Sequence, residues 1–197
     1  MKSIIRVILN ILIEPINRIY FKVFALLNRK AILNRNKVCN ELGGDRILIL
    51  APHIDDEIIG CGGAILKYKE LGKEIFVCYM TKSQKRGSKA SADEIAKERQ
   101  KEAYRVFRDI GIADKNLFFL PGEDGNLINS NIEKEIQDII EAINPDTIFL
   151  PVFLDTHVDH YGATIKLQEL YRNNASLLEG VQIFLYESQS PITSMYS

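Results

Sequence analysis

The chain alternates between short apolar runs and longer segments with helical periodicity, and this pattern predicts its secondary structure. Five apolar runs show no alternation of polar and apolar positions, which is typical of strands buried on both faces of a sheet. The predicted strands are Arg46–Ala51, Glu74–Thr81, Asn116–Leu120, Thr147–Pro151 and Gln182–Glu187. The predicted helices are Glu57–Leu71, a helix from the Ser91 cap to Gly111, Asn131–Ile143 and about His160–Asn173. Strands separated by helices predict a Rossmann-like three-layer α/β/α fold with a mostly parallel sheet.

The first thirty residues follow a helical pattern of their own. On a helical wheel the apolar residues between Ile5 and Leu27 lie on one side, opposite a polar side rich in Lys and Arg, with a kink expected at Pro15. The pattern fades before Gly43-Gly44, where we predict the boundary of the extension. We therefore divide the chain into a basic amphipathic helical extension with its linker, residues 1–45, and an α/β domain, residues 46–197.

The charge distribution indicates what the N-terminal helix binds. Residues 1–40 carry eight Lys or Arg against Glu14 alone, a charge of +7, which leaves −8 on the rest of the chain. We expect neither a signal peptide, since no cleavage site is visible, nor a membrane span, since each charge buried near the bilayer centre costs up to roughly 3 kcal/mol. Two interpretations stay open: residues 2–30 lie on a membrane surface, or they pack against protein. Nucleic acid is not expected, because no stacking aromatic residues interleave the charges.

The cysteines indicate the compartment. Cys39, Cys61 and Cys78 are too few and too scattered for a disulfide framework, which favours a reducing environment. We therefore expect a cytoplasmic protein, peripheral on the inner face of the membrane if the N-terminal helix binds lipid. Cys61 and Cys78 lie in apolar segments and are expected in the core.

All three histidines follow the ends of predicted strands. His53 comes directly after the first strand, and His157 and His160 come after the fourth, each with acids beside them. Ligands of parallel α/β sheets bind beyond the carboxyl ends of the strands, so these two distant segments are expected to meet. Helix capping by Asp55 or Asp56 explains the first segment, and a solvated loop explains the second, but neither explains both. Imidazole and carboxylate suit zinc, and the pattern predicts a metal site.

Two motifs resemble those of a known family, the PIG-L / LmbE-like N-acetylglucosaminyl de-N-acetylases. Pro52-His53-Ile54-Asp55-Asp56-Glu57 is similar to the Pro-His-Pro-Asp-Asp-Glu segment of that family, and His157-Val158-Asp159-His160 is similar to its His-x-Asp-His segment. Arg99 and Glu102 in the long helix and Asp124-Gly125 after the third strand match further family positions. The resemblance extends from about Arg46 to Pro191.

The resemblance implies a metal-dependent N-deacetylase, a hydrolase of a linear amide C–N bond. Its implied substrate is an N-acetylglucosamine-type sugar on a lipid, inositol or glycan carrier, and its implied cofactor is one Zn²⁺ per chain. Asp55 is implied to be the general base, a protonated His157 to stabilise negative charge on oxygen, and Asp159 to orient a histidine. The remaining implied residues are the zinc ligands His53, Asp56 and His160 and the sugar contacts Arg99 and Asp124.

Three departures from the family pattern affect this interpretation. Ile54 replaces the usual proline, Thr81-Lys82-Ser83 lacks a glycine often found after the second strand, and the chain ends at Ser197, earlier than relatives usually do. The domain is therefore expected to be short at its C-terminal side. These departures leave open an alternative function, a catalytically degenerate, membrane-associated relative that binds a glycan or lipid.

Two other metal chemistries fit the sequence less well. A magnesium-binding receiver domain needs an acceptor Asp after the third strand and a Lys after the fifth. Leu120-Pro121-Gly122 and Glu187-Ser188 occupy those places. Two histidines with one carboxylate also suit non-haem iron, but oxygenases of that type usually have all-β folds.

Overall fold

The structure is a computed structural model that describes residues 43–83, 91–152 and 157–188, together with five positions near the N-terminus. The chain separates into two compact units, Met1–Leu42 and Gly43–Ser197. Most of the predicted N-terminal helix lies outside the described residues. The five described positions are helical and exposed, and they are Ile19, Tyr20, Lys22, Val23 and Leu26. Within the described ranges, no helix combines the length and apolar character that crossing a bilayer requires.

Among its described residues, the second unit contains a five-stranded parallel sheet and four α-helices. The strands are β1 (Arg46–Ala51), β2 (Glu74–Thr81), β3 (Leu117–Gly122), β4 (Thr147–Pro151) and β5 (Gln182–Tyr186). The helices are α1 (Asp56–Glu70), α2 (Ala92–Ile110), α3 (Glu133–Ile143) and α4 (Val158–Asn173). The strand order is β3-β2-β1-β4-β5, and every neighbouring pair is parallel. The predicted α/β fold is confirmed.

Two helices cover each face of the sheet. Successive side chains of a strand point to opposite faces, so an apolar strand makes both faces of the sheet apolar, and both must be covered. Leu48 and Leu50 of β1 pack into the core cluster formed with α3 and α4. On the opposite face, Tyr68 of α1 lies edge-on against a ring of β4, and Tyr104 of α2 lies against Phe119 of β3. The result is the predicted three-layer arrangement.

The helix ends explain where the sequence prediction was right and where it was off. α2 begins after a capping box, in which Ser91 and Glu94 bond each other's backbone N–H, and it ends at Gly111 with φ 82°. α4 begins at Val158 and not near His160, because His157 Nδ1 accepts a hydrogen bond from the Asp159 N–H and caps the helix. His160 therefore lies in the first turn of a helix and not in a loop. α1 likewise begins one residue earlier than predicted, at Asp56.

The candidate site lies at the point where the order in which the chain adds strands to the sheet reverses. From β1 the chain builds β2 and β3 on one side, and it then crosses to build β4 and β5 on the other. Strands β1 and β4 are neighbours, with Ile47 opposite Thr147. A crevice opens beyond the carboxyl ends of two strands at such a switch point. The segments after β1 and β4, which carry all three histidines, border this crevice.

Candidate metal centre

Three predicted ligands meet at one carboxylate oxygen. Asp56 Oδ2 lies 3.1 Å from His53 Nδ1 and 3.1 Å from His160 Nε2. Asp56 and His160 are almost completely buried. In a tetrahedral zinc site with bonds of about 2.0–2.1 Å, neighbouring ligand atoms are about 3.3 Å apart. Two imidazole nitrogens and one carboxylate oxygen therefore lie close together here, and these are donor types that zinc accepts.

The second nitrogen of His53 faces two more carboxylates. His53 Nε2 lies 2.9 Å from Asp159 Oδ2 and 2.9 Å from Asp124 Oδ1. Burial lowers the pKa of His53, but hydrogen bonds with Asp124, Asp159 and Asp56 outweigh it and raise that pKa to about 11. Two acceptors at Nε2 keep a proton on that nitrogen and leave Nδ1 available to a metal.

The backbone after β3 fixes the orientation of Asp159. Its Oδ2 accepts a hydrogen bond from the Gly125 N–H at 2.7 Å, and its Oδ1 accepts one from the Leu127 N–H at 3.0 Å. Burial raises the pKa of Asp159, but the hydrogen bonds from His53 and from these two backbone groups hold it below its usual range. Asp159 therefore connects the segment after β3 with the histidine that follows β1.

His157 joins the histidine cluster but has a different environment. Its ring centroid lies 4.7 Å from that of His53 and 5.0 Å from that of His160, and one nitrogen of each ring lies within 4.8 Å of the others. Burial lowers the pKa of His157, as do the neighbouring His53 and His160. Because Nδ1 accepts the Asp159 N–H, the neutral ring carries its proton on Nε2. The lowered pKa favours the neutral ring, and the expected role of His157 at the substrate oxygen stays a prediction.

Asp55 and Asp56 are adjacent, but their surroundings shift their pKa values in opposite directions. Burial raises the pKa of Asp55, and the neighbouring Asp56 carboxylate raises it further. Burial also acts to raise the pKa of Asp56, but hydrogen bonds with His160 and His53 hold it far below its usual range. The Asp55 side chain is half exposed at the mouth of the crevice. One carboxylate is thus a permanent anion, and the other is a proton acceptor of increased basicity.

The two predicted sugar contacts lie at the same sheet edge. Arg99 Nη1 donates to the Ile54 carbonyl oxygen at 2.9 Å, and Nη2 lies 3.5 Å from Asp55 Oδ2. The Asp124 carboxylate lies against His53. Both side chains therefore contact other residues of the site, and their role as sugar contacts stays a prediction.

Sequence analysis assigned no role to three residues beside this site, which are Glu57, Tyr79 and Ser83. Glu57 is 2% exposed, and its carboxylate accepts hydrogen bonds from Tyr79 Oη at 2.8 Å and from the Asp55 N–H at 3.1 Å. Burial raises the pKa of Glu57 to about 7. Ser83 Oγ accepts the Ile54 N–H at 2.8 Å. The helical periodicity of α1 could have identified Glu57 as a buried residue, because Glu57 lies on the same side of the helix as the apolar Cys61, four residues further on.

A comparison with protein families supports the resemblance that the two motifs indicated. A model of the GlcNAc-PI de-N-acetylases, PIG-L, matches residues 48–168, which is more than half of the chain. The protein therefore belongs to the PIG-L family of de-N-acetylases.

Curated relatives and solved structures give the same picture. The chain is 29% identical over 151 residues to a probable N-acetylglucosaminyl-phosphatidylinositol de-N-acetylase of Dictyostelium discoideum, with 73% of this chain and 56% of the relative covered. It is 24% identical to a 2'-N-acetylparomamine deacetylase of Streptomyces fradiae, with 58% and 48% covered. It therefore spans about half the length of these relatives. The solved N,N'-diacetylchitobiose deacetylase of Pyrococcus horikoshii shares the fold, with a TM-score of 0.63, 24% identity and coverage of 89% of this chain and 74% of that one.

Proposed function

We propose that this protein is a zinc-dependent hydrolase that removes the acetyl group from an N-acetylglucosamine-type sugar on a lipid, inositol or glycan carrier. The observation that supports this most directly is the contrast between Asp56, buried between His53 and His160, and Asp55, which faces the crevice. Neighbouring acids with divergent pKa values are typical of a site that needs one permanent anion and one proton acceptor. The names of the matched family and of the relatives supply the reaction class.

His53, Asp56 and His160 would hold the zinc ion. When bound, zinc supplies a Lewis acid and a water whose pKa is lowered to about 7. Asp55 takes the proton from the attacking water and returns it to the amide nitrogen as the C–N bond breaks. Acetate and the free amine of the sugar are then released.

His157 has a separate role in this scheme. Its Nε2–H donates to the acetamide oxygen as negative charge develops there. The pKa of the ring is lowered by burial and by its histidine neighbours, which keeps it a neutral donor near pH 7. Asp159 and Asp124 hold the Nε2 proton of His53, so that Nδ1 is the nitrogen that would bind the metal after giving up its own proton.

The proposal is tested by measuring metal content and product together. Protein purified without a histidine tag is expected to contain about one zinc ion per chain and to release acetate from at least one member of a panel of N-acetylhexosamine conjugates. Dialysis against a chelator should abolish turnover, and zinc should restore it. A folded protein that binds no metal, or a zinc-loaded protein that releases no acetate from any conjugate, contradicts the proposal and favours the degenerate glycan-binding relative.

A further inference from the structure

The short connection between β1 and α1 is hydrogen-bonded to the end of β2. Thr81 donates to the Pro52 carbonyl oxygen through both its N–H and its hydroxyl, at 3.0 and 2.8 Å. The Ile54 N–H is buried and donates to Ser83 Oγ at 2.8 Å. Proline, which usually occupies this position in the resembled motif, has no N–H. The isoleucine of this chain therefore brings a buried donor that needs an acceptor.

The peptide group between Ile54 and Asp55 is bonded at both of its polar atoms. Its carbonyl oxygen accepts a hydrogen bond from Arg99 Nη1 at 2.9 Å, and its N–H donates to Glu57 Oε2 at 3.1 Å. Glu57 is in turn fixed by the hydroxyl of Tyr79. These contacts leave the peptide plane little freedom to rotate.

The residue that follows this peptide has an unusual backbone. Asp55 has φ 136°, within the range of positive φ that disfavours residues with a Cβ, and its side chain makes no capping hydrogen bond to α1. Such conformations persist only where the surroundings hold them, and they cluster at functional sites. The direction of the Asp55 carboxylate follows from this backbone, since the side chain is half exposed and makes only a 3.5 Å contact with Arg99.

We propose that Glu57 and Ser83 are positioning residues, which fix the Asp55 carboxylate by accepting the backbone N–H groups of Asp55 and Ile54. The inference rests on the proposed function, in which Asp55 is the general base. A base must lie within hydrogen-bond reach of the proton that it removes, and a displacement of about 1 Å can cost as much as a hundredfold in rate. Neither Glu57 nor Ser83 needs to contact the substrate for this role.

The first test uses Ser83 and the donor that it accepts. Ser83→Ala is expected to lower kcat roughly tenfold or more, with KM and zinc content unchanged. Ile54→Pro removes the N–H, so adding Ser83→Ala to Ile54→Pro should have no further effect on kcat. If Ser83→Ala costs the same factor in both backgrounds, Ser83 does not act through the Ile54 N–H, and its part of the proposal is wrong.

The second test uses Glu57, and it stands even if Ile54→Pro fails to fold. Glu57→Leu removes both contacts and should lower kcat roughly tenfold to a hundredfold without loss of zinc. Glu57→Gln can present its carbonyl oxygen to the Asp55 N–H and its NH₂ to Tyr79 Oη, so it should keep most of the wild-type kcat. Wild-type kcat in Glu57→Leu, or failure of Glu57→Gln to rescue, would overturn the role of Glu57.

A matched control and a second readout separate this inference from the proposed function. Thr147 Oγ1 donates to the Gly43 carbonyl oxygen at 2.9 Å. This contact lies at the amino end of β4, whereas the candidate site lies beyond the carboxyl ends of the strands. Thr147→Val should therefore lower Tm and leave kcat unchanged. Amide hydrogen exchange of the segment 52–58 should be faster in Ser83→Ala and Glu57→Leu, but not in Thr147→Val. If the zinc-loaded wild type releases no acetate, the proposed function fails, whereas unchanged exchange in both site variants contradicts the positioning role whatever the turnover.

Discussion

His53 Nε2 lies 2.9 Å from Asp159 Oδ2, although 106 residues separate them in the sequence. Each residue follows a different strand, and β1 and β4 are paired in the sheet. The contact therefore depends on the strand order and not on any local pattern. It also fixes which nitrogen of His53 is available to a metal, because the proton held between Nε2 and Asp159 leaves Nδ1 as the donor atom.

Asp55→Asn tests the general base. The substitution keeps the size of the side chain but removes its ability to take up a proton, so kcat should fall by about 10²- to 10⁴-fold. Zinc content should stay at the wild-type value, because Asp55 is not among the proposed ligands. Asp56→Asn is the matched control, in which metal binding itself should weaken. Normal hydrolysis of acetamidosugars by Asp55→Asn would show that Asp55 is not the base.

Asp124→Asn and Asp159→Asn test how His53 is oriented. Each removes one carboxylate from His53 Nε2 and should weaken zinc binding by about 10- to 100-fold, measured by competition with a chelating dye. Asp159 also accepts two backbone N–H groups, so only Asp159→Asn should lower Tm of the metal-free protein appreciably. Unchanged zinc affinity in both variants would mean that these carboxylates do not orient the ligand.

Zinc binding should release a proton from His53. The pKa of His53 is raised to about 11 in the absence of metal, so near pH 7 both ring nitrogens carry protons. A metal at Nδ1 must displace one of them, and apparent affinity should therefore rise about tenfold per pH unit for this proton until pH approaches that pKa. Calorimetry in buffers of different ionisation enthalpy measures the number of protons released. Binding without proton release would contradict the protonated state of His53.

Two glycines of α1 give a matched pair for stability. A Cβ on Gly60 would lie 2.2 Å from Cδ2 of the buried Tyr186 ring, whose hydroxyl donates to the Leu50 carbonyl oxygen. Gly60→Ala should therefore destabilise the fold by about 1–3 kcal/mol. A Cβ on Gly63 meets no atom within 4 Å, so Gly63→Ala should stabilise the helix by up to about 1 kcal/mol. Denaturant unfolding of the metal-free variants measures both, and equal effects would refute the packing at Gly60.

Vesicle binding distinguishes the two open interpretations of the predicted N-terminal helix, a membrane surface or packing against protein. The +7 charge of residues 1–40 and the apolar face of the predicted helix favour co-sedimentation with vesicles that contain anionic phospholipid, and binding should weaken as salt concentration rises. Deletion of residues 2–30 should abolish binding, and neutral vesicles serve as the control. Binding that persists after the deletion, or that is absent for the full chain, would favour packing of this helix against protein.

The strands and the histidine cluster could be predicted because their signals are strong and local. β1, β2 and β4 have uninterrupted apolar interiors, and their predicted bounds match the structure. Because ligands of parallel sheets bind beyond the carboxyl ends of the strands, His53 and His160 could be placed at the same end of the sheet. The same rule does not say which side chains touch.

The partners that sequence analysis missed depend on the register between strands. Asp124 also lies against His53, a contact that sequence analysis did not anticipate, whereas its predicted role as a sugar contact stays a prediction. Ser83 reaches the Ile54 N–H only because the end of β2 lies beside the segment after β1. The spacing of residues along the chain does not determine which side chains of different segments meet, so these contacts could not be predicted from it.

The two hydrogen bonds from Gly125 and Leu127 to Asp159 have a consequence for how this protein can diversify. They join the turn after β3 to the residue that orients His53, so an insertion or deletion in that turn would alter metal affinity even though the turn contributes none of the three proposed ligands. The length of that turn is therefore constrained by the metal site although the turn lies outside it.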